Sequence, residues 1–351
     1  MKEADLIDRI GPELKGLLEE IPGVQVLLKR PPYRQFGLLQ PDLLFRVKTR
    51  QGERTLIVEA STSGSPKSAR AALNQLARFR ESVPEALGVF AAPFISPASL
   101  EICRSEGVGA VDLAGNCILA FDEVFIRVTG RDNPAPNRRA LRSLFMPKSS
   151  RVLRVLLSGP GRHWKTQELA TEAKVSLGLV FNVKERLMDR EWVKAEPEGL
   201  LLVEPRLLLK DWADWAGANP WKAQQFYSME SLPDIEARLA KVCLSLGVPF
   251  ALTGFSAADR LAPFTRYSKA TAYVIGSADP VVAAMNLKPV PSGGNVELLV
   301  TEDRHVLYGA KEAAGVMVVT PVQAYLDLQG QSGRGQEAAD FLLQEVISSQ
   351  W

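Results

Sequence analysis

The stretch from Lys148 to Trp215 constrains this chain more than any other. In TQELATEAKVSLGLVFNVKERLMDREWV, Leu169, Val175, Val180, Val183 and Leu187 recur at the spacing of one buried helical face. Residues 151–157 predict a first helix that stops at Gly159-Pro160-Gly161. Residues 166–173 predict a second, with Thr166 as N-cap and Leu169, Ala170 and Ala173 inward. Ser176 caps a third that runs to about Arg190. Residues 192–195 and 200–203 read as two strands around the turn Pro197-Glu198-Gly199, and 207–215 as a closing helix.

Helix, helix, tight turn, helix and a two-stranded wing is the sequence form of a winged helix-turn-helix, whose third helix enters the major groove of double-stranded DNA. Only the start of such a helix reaches base edges. Leu177, Gly178, Phe181 and Asn182 are therefore the candidate readers, and Asn182 has the bidentate option toward adenine. Glu185 and Asp189 lie farther along and must point away from phosphate. Residues 131–194 hold 14 Lys and Arg against 6 Asp and Glu, whereas the whole chain has 42 against 40. Basic charge is thus concentrated where a polyanion would dock. Arg151, Arg154, Arg162, Lys165, Thr166, Lys174, Ser176, Lys184 and Arg186 are the candidate backbone contacts. The acidic Glu196 and Glu198 argue against a wing lying in a minor groove, and winged helices also serve as protein-interaction modules. One short helix touches few bases, so a homodimer on two half-sites is expected.

Residues 1–130 predict a compact α/β domain. Leu6, Ile10, Leu14, Leu17 and Leu18 mark an amphipathic helix that Pro22-Gly23 stops. Strands follow at 24–28, 43–47 and 55–60, the last two as a hairpin across 50–53. A helix at 68–80, an apolar strand at 87–92, a helix at 97–106 and strands at 111–113, 117–121 and 124–128 complete the domain. Pro41-Asp42 on one hairpin strand, Glu59 on the next and Gln75 on the following helix resemble the PD-(D/E)xK restriction-endonuclease-like fold. That resemblance implies two carboxylates on a divalent metal and a lysine two residues past the second acid. Ser61 stands at the lysine position, and Lys67 is the nearest substitute. The expectation is a degenerate nuclease fold kept for binding or dimerisation, with no cofactor. The alternative is a metal-dependent DNA nuclease using Asp42, Glu59, Lys67 and Gln75.

Residues 131–147 read as a linker or basic arm carrying Arg138, Arg139 and Arg142. The helix-turn-helix module takes 148–216. Residues 217–351 predict a second α/β domain, with helices at 235–246, 321–328 and 336–347 and strands at 250–253, 271–275, 297–300 and 316–320. Two runs here, PFALTGFSAADRLAPF and GVMVVTPVQAYLDLQGQSGRGQEAADFL, resemble the AbiEi-like antitoxins and transcriptional regulators of type IV toxin–antitoxin (abortive infection) systems. The characteristic residues are Gly254, Ser256, Ala257, Pro263, Pro321, Tyr325, Asp327, Leu328, Gly333 and Arg334, and the likeness takes in the winged helix as well as this domain. It implies a DNA-binding repressor of its own operon, or an antitoxin that binds a toxin protein. The extra N-terminal domain departs from that pattern. Thr253-Gly254-Phe255-Ser256 also resembles a nucleotidyltransferase strand-to-helix turn, but the strand at 271–275 carries no acid. A structural turn with Gly254 for close packing is the expectation.

Composition closes off other classes. Cys103, Cys117 and Cys243 form no CxxC pair, and with His163 and His305 the only histidines, a structural zinc site is not expected. No run approaches 18 apolar residues, and the acidic N-terminus is unlike a secretory signal, so a cytoplasmic protein away from membranes is expected.

Overall fold

The computed structural model describes residues 2–28, 40–83, 85–133, 144–218, 223–331 and 333–351. The chain divides into two compact units, one of residues 1–138 and 187–191, the other of 139–186 and 192–351. Both are mixed α/β. Arg138, Arg139 and Arg142 of the expected basic arm lie outside the described residues.

In the first unit α1 (Glu3–Glu19) buries Leu6, Ile10, Leu14 and Leu18. Burying each such side chain contributes roughly 1.5–3 kcal/mol. The seven-stranded sheet follows chain order: β1 (Gln25–Leu28), β2 (Leu43–Thr49), β3 (Gly52–Ala60), β4 (Leu87–Ala92), β5 (Gly109–Asp112), β6 (Cys117–Phe121) and β7 (Val124–Val128). β3, β4 and β5 run parallel and the remaining neighbours antiparallel. Between the parallel strands lie α2 (Pro66–Ser82) and α3 (Pro97–Ser105), each capped by the serine that precedes its first-turn proline. Strand alternation sends Leu56 and Val58 to the core under α1, and Ile57 to a second core with Leu76 and Phe79 of α2.

The second unit begins with α4 (Pro147–Leu157), followed by α5 (Thr166–Glu172), α6 (Leu177–Asp189), β8 (Val193–Glu196), β9 (Gly199–Leu202) and α7 (Pro205–Ala218). Lys165, not Thr166, is the N-cap of α5, and the Glu168 carboxylate accepts the Lys165 N–H at 3.4 Å. Ser176 caps α6 as expected, its Oγ accepting from Leu179 N–H at 3.3 Å. The β8–β9 turn depends on Gly199. Its φ is +144°, and a Cβ there would meet the Trp164 carbonyl oxygen at 2.7 Å. Trp164 and Leu200 exchange two backbone hydrogen bonds of 2.9 Å, tying the segment before α5 to the hairpin.

Beyond it come β10 (Ala223–Tyr227), α8 (Leu232–Leu246), β11 (Phe250–Leu252), α9 (Gly254–Leu261), β12 (Ala270–Ile275), α10 (Asp279–Met285), β13 (Lys288–Pro289), β14 (Val296–Thr301), β15 (Lys311–Ala313), β16 (Val316–Val318), α11 (Pro321–Leu328) and α12 (Gly335–Leu342). The sheet order is β13-β10-β14-β12-β11-β16-β15. β12 is fully buried, which is why it reads as an unbroken apolar run. The helix expected over 336–347 ends as α12, followed by a wider turn over Leu343–Ile347.

Candidate nucleic-acid interface

On α6, Val180, Val183 and Leu187 are buried, while Leu177, Gly178, Phe181 and Asn182 are exposed. The four proposed readers therefore share the outer face at the helix N-terminal end. Leu177 and Phe181 are 48% and 56% exposed. Large apolar side chains held in water at this level mark a surface suited to a partner, and thymine methyl groups are one such partner. A Cβ added at Gly178 would meet open space.

The candidate backbone contacts differ in exposure. Lys165 and Thr166 are exposed at the N-terminal end of α5, and Lys174 and Ser176 in the turn that joins α5 to α6, with Lys174 in a left-handed conformation at φ +51°. Lys184 and Arg186 are half-buried on α6. Arg154 is different. It is 7% exposed, and its Nε and Nη2 donate to Gln323 Oε1 at 3.0 and 2.7 Å, while Nη1 donates to Ser150 Oγ at 2.8 Å. Its guanidinium lies 4.9 Å from the Trp212 ring centre. The expectation that Arg154 meets DNA phosphate is overturned, because α4 is enclosed on nearly all sides. Arg151 is also largely committed, pairing with Asp303 at 2.9 Å.

At the β8–β9 hairpin, His163 Nε2 lies 2.8 Å from Glu196 Oε2, and these two with Glu198 bring ligand-type atoms within 4.8 Å of one another. The three cysteine thiols are buried and pushed up to about 12 by that burial, so they stay protonated and unreactive.

In the first unit, Asp42 and Glu59 come together as expected. Asp42 Oδ2 accepts the Ala60 N–H at 2.7 Å. Burial first, then the charges of Asp42 and Glu3, push the Glu59 carboxyl up to about 8. Burial also raises Asp42, against the Ala60 hydrogen bond. Like-charged carboxyls in a half-dry site are a donor set that a divalent cation would relieve. The charges that act on Glu59 are negative, and Ser61 offers none. Lys67 and Gln75 both stand on the exposed side of α2.

Among the C-terminal motif residues, Asp327 is the centre of a polar network. Asp327 accepts from Thr253 Oγ1 at 2.5 Å, from Tyr273 Oη at 2.8 Å and from Gln323 Nε2 at 2.9 Å. Burial raises its carboxyl to about 6 against those three donors. Ser256 Oγ accepts the Thr271 N–H at 3.0 Å. Gly254, at φ +54°, lies under the Gln331 side chain, where a Cβ would meet Nε2 at 2.4 Å. The close approach of Gln331 leaves no room for a side chain at this turn. Residues 201–348 match the family model of transcriptional regulators, AbiEi antitoxins of the type IV toxin–antitoxin system. That match bears out the resemblance over residues 201–348. It is narrower than expected, since α4 to α6 lie outside it. No curated protein matches the chain. A solved structure, that of an EndoMS–dsDNA2 complex, is similar at 16% identity over 32% of this chain and 44% of that chain. Its TM-score is 0.24, too low to support an argument about either unit. No helix among the described residues is long and apolar enough to cross a membrane.

Proposed function

We propose that the chain is a sequence-specific DNA-binding transcriptional regulator that represses its own operon, one of the defence or toxin–antitoxin type. The carrying observation is α6. It buries one face and presents Leu177, Gly178, Phe181 and Asn182 on the other, with the exposed Lys174 in the turn before it. Three helices and a hairpin in this order support a winged helix-turn-helix over 147–218, with α6 as the reading helix. The regulator family matched over 201–348 supports the same role from an adjacent segment. Double-stranded DNA is the proposed partner, read by a homodimer in the cytoplasm. Mapping of bound DNA across the genome tests the proposal. Occupancy of its own promoter supports repression in cis, and occupancy no higher than that of an Asn182→Ala, Lys165→Ala variant refutes it.

A second reading rests on the same family match. The matched region begins after α6, so in this reading the C-terminal part binds a toxin protein without the face of Leu177, Gly178, Phe181 and Asn182. Co-expression with the neighbouring gene product tests it, and loss of toxicity in the Asn182→Ala, Lys165→Ala variant as well as in the native chain is the expected result.

A further inference from the structure

We propose that the cavity enclosed by α4, α7 and the second unit's sheet binds a small organic anion, with its carboxylate or phosphate against Arg154 and its apolar body against Phe255, Leu299 and Leu326. The cavity measures about 1050 Å³. Small-molecule sites are typically about 300–1,000 Å³, mostly apolar, with a few fixed polar groups.

The charge on Arg154 points to an anion. An arginine stays protonated, and a buried guanidinium costs several kcal/mol, on the order of the penalty for any desolvated ion, unless it is paired. Both its hydrogen-bond partners, Ser150 and Gln323, are neutral. Two carboxylates that also line the cavity, Asp303 and Asp327, offset its charge through space but accept none of its hydrogen bonds. Asp303 pairs with Arg151, and Asp327 accepts from Thr253, Tyr273 and Gln323. Three of its five N–H donors are used, and the residue lines the cavity. The exposed Arg266 lines the same space, as does Lys269, which pairs with Glu297 at 3.3 Å. Gln331 Oε1, also lining it, is buried with no hydrogen-bond partner among the described residues, so the cavity offers an acceptor as well.

Only the consequence of binding rests on the regulator reading. Arg154 belongs to α4, which packs against α5 beside the reading helix, so an anion that reorganises Arg154 alters DNA affinity. The site itself is tested without DNA. Full-length protein is titrated with 8-anilinonaphthalene-1-sulfonate, whose sulfonate stands in for the anionic group, and with neutral N-phenyl-1-naphthylamine. The expected result is saturable binding of one sulfonate probe per chain. Arg154→Met should weaken that probe at least about tenfold and leave the neutral one unchanged. Ala216→Trp, which keeps Arg154 but fills the space, should abolish both with near-ultraviolet circular dichroism intact. Competition by indole-3-acetate or by adenosine monophosphate then separates carboxylate from phosphate ligands. Failure of the native chain to bind the sulfonate, or undiminished binding in either folded variant, overturns the proposal. Loss of DNA binding alone sinks the regulator reading and leaves this site standing.

Discussion

Arg154 and Gln323, 169 residues apart in the chain, share two hydrogen bonds through one amide oxygen, from Nε at 3.0 Å and from Nη2 at 2.7 Å. Gln323 passes the contact on, its Nε2 donating to Tyr273 Oη at 3.2 Å and to Asp327 at 2.9 Å. Helix α4 is thereby fastened to the C-terminal motif. Arg154→Ala leaves Gln323 Oε1 without its donors and opens a void, so it should destabilise the second unit by about 1–3 kcal/mol. Arg154→Met, which keeps the volume, should cost less. Urea unfolding followed by tryptophan fluorescence measures both, and equal losses would show that the void contributes nothing and the hydrogen bonds carry the whole effect.

Asn182→Ala should weaken binding to the specific site by about 1–3 kcal/mol and leave random DNA almost unaffected. Lys165→Ala should weaken both alike. Raising salt from about 50 to 200 mM should cost roughly 10³-fold in affinity if about six phosphates are contacted. Gel-shift titrations on both DNAs provide the check. An unchanged specific affinity for Asn182→Ala would move the reading surface off α6.

The Glu59 carboxyl titrates at about 8 in the folded protein, against an ordinary value of 4.5. Because the folded state holds this proton more tightly, the stabilisation is complete below pH 4.5 and is lost as pH rises through about 8. The first unit should therefore melt at a lower temperature at about pH 8.5 than at about pH 6. Glu59→Gln should flatten that slope. A divalent cation held by Asp42 and Glu59 favours the ionised form, so Mn²⁺ should restore stability at the higher pH in the native chain but not in the variant. Calorimetry at the two pH values reads each effect.

The native protein should not cut supercoiled or linear DNA in Mg²⁺ or Mn²⁺. Hydrolysis needs an activated water and a charge to stabilise the transferring phosphate, and Ser61 supplies neither. An Asp42→Ala, Glu59→Ala double variant run beside it is the control. Cleavage that vanishes in the control would raise the nuclease reading above the regulator.

Light scattering should give a dimer on DNA, because a single reading helix contacts too few base pairs for specificity. A monomer both free and bound would remove that expectation.

Local pattern locates most elements to within a few residues. Apolar period, serine caps and first-turn prolines are properties of neighbouring residues, so α2, α3, β4 and α11 are legible in the amino-acid sequence alone. The outward placement of Leu177, Gly178, Phe181 and Asn182 follows from the same helical period. Burial of a charge is not a local property. Arg151 and Arg154 sit three apart on one basic helix and read alike in sequence, but Arg154 is enclosed by Gln323 and Trp212 while Arg151 turns to Asp303. Likewise, the acids at 42 and 59 are visible as letters, but the raised carboxyl of Glu59 arises from the closeness of Asp42 and Glu3 and from lost water. Desolvation and through-space charge depend on which distant segments pack together, and the chain acquires them only on folding.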